Sequence, residues 1–336
     1  MNYGVPKSHE ADATPQKLKS SVSQDPSPHS DYTMSEPAID FVQCPDAQGT
    51  HRMAYGSWGD PAASHVIVCV HGLTRQGRDF DVLAQALVAS AQAAHLPPIR
   101  VICPDVVGRG RSEWLKDPMG YQFAQYAGDM AVLIQTLNAQ HPIDRLDWVG
   151  TSMGGVIGML LAAQALPVPI RHLVLNDIGP VVSWSSILNM KTYVGQVGQF
   201  QTVQDAADAM WQISKSFGPH TPEEWLALSQ HMVRTLPDGT LTLHYDPDLG
   251  VSIRAATQEM AQAGEAALWQ VYDAIKCKTL LLHGADSELL SLSAVNEMKQ
   301  RGPRAQVATF QGVGHAPTLV HQDQIDVVRE FLGLHA

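Results

Sequence analysis

A serine between two glycines is the feature of this chain best suited to chemistry. Residues 150–154 read Gly-Thr-Ser-Met-Gly, the G-x-S-x-G pattern of a nucleophile at a sharp strand-to-helix turn. Such a turn strains the backbone of Ser152 and exposes its hydroxyl, and it leaves no room for side chains two residues before or after. The helix that begins at the serine aims its free N–H groups at developing negative charge. The pattern therefore predicts Ser152 as a nucleophile.

The surroundings of this motif are the ones that the turn requires. An apolar, strand-like run over residues 146–149 precedes it, and a helix-like run over residues 156–163 follows it. The short pattern alone arises by chance in a chain with 26 glycines, but a chance match needs no strand before it and no helix after it. The context favours a catalytic serine.

A serine nucleophile needs a general base, and the chain offers one histidine in a suitable place. His315 lies in the run Gly-Val-Gly-His-Ala-Pro at residues 312–317, directly after the last strand-like segment. In proteins with a serine at such a strand-to-helix turn, the nucleophile, the acid and the base follow one another along the chain in the order serine, acid, histidine. Of the 15 histidines, only His315 both follows the serine and the candidate acids in the chain and lies in a glycine-rich loop after a strand. We therefore predict that His315 is the general base.

The acid that orients the histidine has more than one candidate. A strand-like run ends in the loop 284–291, which carries Asp286 and Glu288. Either carboxylate can accept the Nδ1 proton of His315 and stabilise the imidazolium. Asp177, which follows the preceding strand, is a third candidate. We interpret Asp177 instead as a loop residue that directs the chain out of the strand.

Two backbone N–H groups are expected to form the oxyanion hole. One belongs to Met153, the residue after the nucleophile. The other is expected from the loop after the strand at residues 65–70, at Leu73. His71 in the same loop is interpreted as a bracing residue and not as a second base.

The elements that position these residues alternate between strand and helix from about residue 40. Alternating strand–helix units predict an α/β protein with a mainly parallel sheet and helices on both faces. Short, almost entirely apolar strands fit burial on both faces. The predicted strands are residues 53–58, 65–70, 99–104, 146–149, 172–176, 279–284 and 306–310, and the predicted helices are residues 80–94, 126–137, 156–163 and 323–332.

This alternation is interrupted between residues 181 and 267. That segment is mostly helix-like and rich in large aromatic and methionine side chains. We interpret it as a helical cap inserted into a core formed by residues 39–180 and 268–336. Residues 1–38, rich in Pro, Ser, Asp and Lys, are expected to form a disordered tail.

Composition narrows the class of protein further. The length of 336 residues suits one large domain with an insertion, and the net charge of −11 argues against nucleic acid or an anionic membrane as a partner. The sequence has no secretory signal and no apolar run of 18 residues. Its four cysteines include no C-x-x-C pair, which argues against structural zinc. Cys69 and Cys103 lie in strand-like apolar runs, which favours buried free thiols in a reducing compartment. We therefore expect a cytoplasmic protein.

These motifs together resemble the α/β-hydrolase superfamily, over about residues 40–180 and 268–336. The likeness is strongest to capped bacterial serine esterases, which carry stretches similar to residues 71–80 and 175–180. In combination the motifs are highly specific for the fold and for a serine nucleophile. The markers are His71-Gly72, Asp105-x-x-Gly108-x-Gly110-x-Ser112, Gly150-Thr151-Ser152-Met153-Gly154-Gly155 and Gly314-His315-Ala316-Pro317.

The resemblance also bears on the acid. In that group the acid loop often reads Gly-x-x-Ser-Asp, with the aspartate as the acid of the triad. The matching position here is Glu288, a departure from the pattern. We favour Glu288, because one extra methylene needs only a small backbone adjustment, and keep Asp286 as the alternative.

The resemblance implies a serine hydrolase of small carboxylic esters or lactones that works through an acyl-enzyme on Ser152. It implies no metal ion and no organic cofactor, and a small-molecule ester as the partner. An alternative reaction for the same triad is C–C bond hydrolysis of β-diketone-type substrates. An alternative from another class is a ligand-binding receptor on a hydrolase fold, because fold alone does not determine function. The sequence assigns no oligomeric state.

Overall fold

A central β-sheet organises the protein, whose computed structural model describes residues 36–335. Within that range one sheet has eight strands and a second has two. The strands are β1 (Ala38–Asp46), β2 (Gly49–Gly59), β3 (His65–Val70), β4 (Ile99–Pro104), β5 (Arg145–Thr151), β6 (Ile170–Asn176), β7 (Val233–Thr235), β8 (Leu241–Leu243), β9 (Lys278–Gly284) and β10 (Gln306–Phe310).

The large sheet has the order β1-β2-β4-β3-β5-β6-β9-β10. The six strands from β4 to β10 in that order run parallel, and β1 and β2 are antiparallel to their neighbours. Chain order reverses around β3, which has β4 on one side and β5 on the other. In open α/β sheets such a point opens a crevice at the carboxyl ends of the strands. The predicted α/β fold with a mainly parallel sheet is confirmed.

The antiparallel hairpin at the sheet edge, formed by β1 and β2, is longer than the sequence predicted. The sequence predicted one strand at residues 53–58, whereas the structure has the longer β2 and a partner, β1. Near the end of β1, buried and exposed residues alternate: Val42 and Cys44 are buried, and Phe41, Gln43 and Pro45 are exposed. An edge strand buries one face only, so its apolar signal is weaker than that of the fully buried β4.

Helices cover both faces of the sheet. The apolar sides of α1 (Asp81–Ala93) and α10 (Gln322–Phe331) share one core cluster with the sheet. Those of α2 (Phe123–Gln140), α3 (Met153–Ala162) and α8 (Gln258–Ala274) share another. Among the described residues, no helix combines the length and the apolar character needed to cross a bilayer. The helices are α1 (Asp81–Ala93), α2 (Phe123–Gln140), α3 (Met153–Ala162), α4 (Trp184–Tyr193), α5 (Val203–Ser214), α6 (Pro222–Ser229), α7 (Leu249–Ala255), α8 (Gln258–Ala274), α9 (Leu292–Met298) and α10 (Gln322–Phe331).

The segment between β6 and β9 contains α4 to α8, together with the short hairpin of β7 and β8. The sequence predicted helices here but not the hairpin, and α8 continues seven residues past the expected boundary at residue 267. Several large side chains pack on one another, as Trp211 and Trp225 do at a ring-centroid distance of 5.0 Å. We keep the name cap for residues 181–267. The tail predicted over residues 1–38 lies outside the described residues except for 36–38, where Ala38 already begins β1.

A buried carboxylate ties β5 to its neighbouring strands at the amino end of the sheet. Asp147 is fully buried and accepts hydrogen bonds from His65 (2.7 Å), Arg145 (2.8 Å) and His172 (2.9 Å). Burial alone would raise the pKa of Asp147. The hydrogen bonds from His172 and His65 and the charge of Arg145 outweigh burial and lower the pKa from 3.8 to about 2.

We predict that Asp147→Asn destabilises the protein by about 3 kcal/mol at neutral pH, because it leaves the Arg145 guanidinium and the imidazole donors of His65 and His172 without their carboxylate. A carboxylate with a lowered pKa stabilises the folded state above its unfolded pKa, and this contribution is lost as the pH falls through the folded pKa. The wild type should therefore lose about 2 kcal/mol more than the variant as the pH falls from 5 towards 2.

Urea unfolding of both proteins across this pH range measures the two effects. Asp273→Asn is the matched control, because Asp273 forms an exposed ion pair with Arg301, and exposed pairs contribute little. If both variants lose the same small free energy of unfolding, the strand-tying role of Asp147 is wrong.

Candidate active site

Ser152 lies on the turn that the sequence predicted. β5 ends at Thr151 and α3 begins at Met153, so Ser152 alone forms the turn, with φ 51° and ψ −116°. A Cβ atom on Gly150 would collide with the backbone of Gly154, and one on Gly154 would collide with a carbonyl of β3. The tight packing of these glycines explains why the motif needs them, and it holds Ser152 in a conformation that few residues adopt.

His315 reaches the serine from the loop that follows β10. Its Nε2 lies 2.9 Å from Ser152 Oγ, within hydrogen-bonding distance. The imidazole is about one-fifth exposed, so it lies at the edge of the buried part of the site. The structure thus brings together the two residues that the sequence selected 163 positions apart.

The carboxylate that contacts His315 is Asp177, in place of the expected Glu288 or Asp286. Asp177 Oδ2 lies 2.9 Å from His315 Nδ1, and the side chain of Asp177 is fully buried. Glu288 and Asp286 are both exposed in the loop after β9. The expectation that Glu288 or Asp286 contacts His315 is therefore wrong. The loop of these two residues lies beside the histidine loop, but both residues are exposed to solvent.

The loop after β9 contributes hydrogen bonds to Asp177 and not a carboxylate to the histidine. The Gly284 N–H donates to Asp177 Oδ1 at 3.0 Å, and the Ser287 hydroxyl donates to Oδ2 at 2.5 Å. These two donors fix the orientation of the buried carboxylate. The φ of Asp177 is 51°, so this residue, like Ser152, adopts the left-handed region.

Two signals in the sequence could have identified Asp177. It follows β6, which is almost entirely apolar and lies directly beside the serine strand β5. A carboxylate at the carboxyl end of such a strand is costly to bury unless it has a partner. The second signal is Glu288, which departs from the Gly-x-x-Ser-Asp pattern that the resemblance led us to expect in this loop.

One further side chain at the site was not singled out from the sequence. Asn176 is fully buried, and its Nδ2 donates to Thr151 Oγ1 at 3.0 Å and to Pro317 O at 2.7 Å. It therefore links the end of the serine strand to the loop that carries His315. A single asparagine carries no sequence signal for such a long-range link.

The two expected oxyanion donors flank the serine. Met153 is the first residue of α3, where a backbone N–H has no acceptor within the helix. Leu73 follows Gly72, and a Cβ on Gly72 would lie 3.7 Å from the Cβ of Ser152. Within residues 36–335 neither N–H has a hydrogen-bond acceptor, so both are free to bind a developing oxyanion.

His71 braces the loop that carries Leu73. Its Nδ1 donates to Gly72 O at 2.7 Å, and its Nε2 accepts from the Val106 N–H at 2.9 Å. Because a backbone N–H donates to Nε2, the proton must reside on Nδ1. Burial lowers the pKa of His71 to about 3, which keeps the ring neutral in this tautomer. The Gly72–Leu73 peptide plane is thereby held in place.

A buried arginine supports both oxyanion residues from behind. Arg109 is fully buried, and its guanidinium donates to Leu73 O at 2.8 Å and lies 3.4 Å from Met153 Sδ. It also lies over the Tyr126 ring at 4.9 Å. In the described part of the chain it forms no ion pair, so its charge is balanced by carbonyl oxygens and aromatic faces.

The cap contacts the histidine loop directly. The Ser216 hydroxyl, just after α5, donates to His315 O at 3.0 Å. The Gly314 N–H donates in turn to Ser216 O at 2.6 Å. The cap therefore helps to hold the loop that presents the imidazole to Ser152.

Potential metal ligands cluster away from the triad. Over residues 36–335, the groups close enough to share an ion are Cys44, His51 and Asp129, whose ligand atoms lie within 4.8 Å of one another. The two nitrogens of His51 already contact Asp46 (3.1 Å) and Asp129 (3.0 Å). This arrangement is a buried ion-pair network between β1, β2 and α2, and it shares no residue with the site of Ser152.

Comparison with known proteins agrees with this geometry. The model of the alpha/beta hydrolase family matches residues 67–330. A 3-hydroxybutyrate-oligomer hydrolase of Cupriavidus necator is 46% identical over 300 residues, which are 88% of this chain and 98% of that protein. A 2-hydroxymuconate semialdehyde hydrolase of a Pseudomonas species is 26% identical over 69% of this chain and 76% of that protein. The crystal structure of an alpha/beta hydrolase from Novosphingobium aromaticivorans is 32% identical, with a TM-score of 0.73 over 90% of this chain and 99% of the other.

The family match covers most of the chain, and the Cupriavidus relative is matched over nearly its whole length. The predicted fold and the predicted serine esterase class are confirmed by these similarities. The chain belongs to the alpha/beta hydrolase family, and it is a hydrolase of ester bonds.

Proposed function

We propose that this protein hydrolyses oligomers of 3-hydroxybutyrate through an acyl-enzyme on Ser152, with His315 as the base and Asp177 as the acid. The observation that carries the proposal is the continuous hydrogen-bonded chain from Ser152 Oγ through both nitrogens of His315 to Asp177, with 2.9 Å at each step. The choice of substrate rests on the Cupriavidus relative.

In the proposed reaction His315 Nε2 takes the proton of Ser152 Oγ as that oxygen attacks the ester carbonyl. The negative charge that develops on the carbonyl oxygen is stabilised by the N–H groups of Leu73 and Met153. His315 then gives the proton to the leaving alkoxide, and the carbon–oxygen ester bond breaks. A water molecule activated by His315 attacks the acyl-enzyme, which releases the acid and restores Ser152.

Asp177 is assigned the remaining role because of its contacts and burial. Its Oδ1 is held by the Gly284 N–H and its Oδ2 contacts the imidazole. A buried carboxylate in this position keeps the Nδ1 proton in place and stabilises the imidazolium that forms during the attack. An exposed carboxylate such as Glu288 is surrounded by water and stabilises that charge far less.

The proposed substrate suits this machinery chemically. An oligomer of 3-hydroxybutyrate joins each carboxyl group to the hydroxyl of the next unit, so every link is a carboxylic ester. Cleavage of one link yields two shorter chains, one with a new hydroxyl end and one with a new carboxylate. We also propose a cytoplasmic location, supported by the four unpaired cysteines, all within the described range.

A second candidate reaction is C–C bond hydrolysis, the alternative that the sequence left open. The 26% identical Pseudomonas relative, a 2-hydroxymuconate semialdehyde hydrolase, shows that the substrate can differ among relatives of this chain. The same serine, base and oxyanion donors serve both reactions, so the geometry of the triad does not separate them. The two reactions differ in the bond that breaks and therefore in the substrate that is consumed.

The test is a direct comparison of two substrates with the purified protein. The 3-hydroxybutyrate trimer is expected to give monomer and dimer over many turnovers, measured by liquid chromatography, and a vinylogous diketone is expected to stay intact. Ser152→Ala is the control for both. Faster turnover of the diketone would establish the C–C hydrolase instead, and a single turnover with retained product would establish the ligand-binding receptor.

A further inference from the structure

An open groove of about 600 Å³ lies between the N-terminal hairpin, the loop after β4 and the β7–β8 hairpin of the cap. The groove has no established role, and it includes none of the triad residues. Its walls combine aromatic rings with cationic side chains. The lining residues are Phe41, Arg52, Gly110, Arg111, Ser112, Trp114, Arg234 and His244.

Two of the three arginines in this groove, Arg111 and Arg234, form no ion pair with a carboxylate over residues 36–335, whereas Arg52 faces Glu113. The Arg234 guanidinium lies over the Trp114 ring at 5.1 Å, and its Nε is buried without a hydrogen-bond partner in the described part of the chain. Arg111 is exposed, and over residues 36–335 its side chain forms no ion pair. His244 has a lowered pKa because of burial and then the charges of Arg234 and Arg111. Both guanidinium groups therefore lie close to the His244 imidazole.

Two carboxylates near the groove are already engaged. Glu113 faces Arg52 at 3.9 Å, and both side chains are about half exposed. Asp105 accepts the backbone N–H groups of Gly77 and Arg111, both at 2.8 Å. Neither carboxylate contacts Arg234. The groove thus keeps an excess of positive charge on a protein whose net charge is −11, which is the arrangement expected of an anion site.

The groove and Ser152 are both reached from the carboxyl ends of neighbouring strands. The loop that carries Arg111 begins after β4, at Pro104, and Ser152 follows β5; only β3 lies between them, so the ends of these two strands are about 10 Å apart. A smaller cavity of about 170 Å³ shares Arg111 and His244 with the groove. That cavity extends to Gln76, in the loop that carries Leu73.

We propose that this cationic groove binds the terminal carboxylate of the substrate while an ester link further along the chain lies at Ser152. The inference rests on the proposed function for the identity of the chain. In an oligomer of hydroxy acids the free carboxylate lies on the alcohol side of every ester. The groove therefore holds the leaving group, and the acyl-enzyme carries the hydroxyl end. The aromatic rings of Phe41 and Trp114 suit the apolar part of such a chain.

The experiment compares the free acid of the 3-hydroxybutyrate trimer with its methyl ester, in the wild type and in two variants. Arg111→Gln and Arg234→Gln should each raise KM for the free acid about tenfold, because each removes a charge-assisted contact. KM for the methyl ester should change less than twofold, and added salt should weaken the acid preference of the wild type. Arg301→Gln, an exposed arginine whose partners are Asp273 and Glu297, is the matched control.

A second pair of substrates keeps this inference separate from the proposed function. It consists of 6-butyryloxyhexanoic acid and its methyl ester, which carry the carboxylate on the alcohol side without any 3-hydroxybutyrate. Suppose that the wild type leaves the trimer intact but prefers this acid to its methyl ester, and that Arg111→Gln and Arg234→Gln reduce the preference. Carboxylate binding in the groove is then supported, and the proposed substrate is wrong. If the trimer is hydrolysed and neither variant changes the ratio of acid to methyl ester, the groove is overturned and the proposed function stands.

Discussion

Ser152→Ala should lower the turnover of an ester substrate by roughly 10⁶-fold, because the alkoxide that forms the acyl-enzyme is absent. The fold should survive, since Ser152 Oγ is engaged by His315 alone in the described structure and alanine has a smaller side chain. Ester hydrolysis gives the rate. Labelling with a fluorophosphonate probe, followed by intact-mass measurement and peptide mapping, gives the site of the adduct.

We expect one stoichiometric adduct on Ser152 of the wild type and none on the variant. Ser185→Ala is the matched control, because Ser185 is an exposed serine of the cap and should leave both rate and labelling unchanged. Equal thermal denaturation of the three proteins excludes unfolding as the cause. Full ester turnover by Ser152→Ala, or an adduct at another serine, would sink the acyl-enzyme mechanism.

Asp177→Asn should lower turnover by roughly 10⁴-fold, with a smaller effect on KM. The amide is close in shape to the carboxylate, but its Nδ2 cannot accept a proton from His315 Nδ1, so the imidazole is held in the wrong tautomer. The carbonyl oxygen of the amide can still accept the Gly284 N–H, which limits the structural cost. Steady-state rates on one ester measure the effect.

The matched controls are the two carboxylates that the sequence favoured. Glu288→Gln and Asp286→Asn should each change turnover less than twofold, because both side chains are exposed and neither contacts His315. Chemical denaturation of Asp177→Asn separates a catalytic loss from a folding defect. A larger loss of turnover in Glu288→Gln than in Asp177→Asn would return the acid to the loop after β9.

The fold class was predictable because its signal is repeated along the chain. Buried parallel strands such as β3 and β4 are short apolar runs, and each alternates with a helical segment. The edge strand β1 and the hairpin of β7 and β8 were not predicted. One face of β1 is exposed, and β7 and β8 have three residues each, so neither gives a periodic pattern of useful length.

The contact between Ser152 and His315 could be anticipated because local geometry restricts the residues around each of them. Gly150 and Gly154 flank Ser152 within a single turn, so the steric demand of that turn appears in five consecutive residues. The predicted donors are backbone N–H groups, chosen by position: Leu73 lies three residues after β3, and Met153 follows the serine. His315 stands in a glycine-rich loop after the last strand of the sheet.

The contact of Asp177 with His315 and the formation of the cationic groove depend on contacts between distant segments. Asp177 lies 138 residues from His315 in the chain, and its distinction from Glu288 is burial, which depends on how the loop after β9 packs against β6. The groove is lined by both Arg111 of the core and Arg234 of the cap. In the sequence, each of these residues reads as an ordinary surface arginine. Steric limits within one turn restrict which residue types can occupy neighbouring positions, so the sequence shows them. Burial and the proximity of charges arise only when the folded chain brings separate segments together, so the tertiary structure decides them.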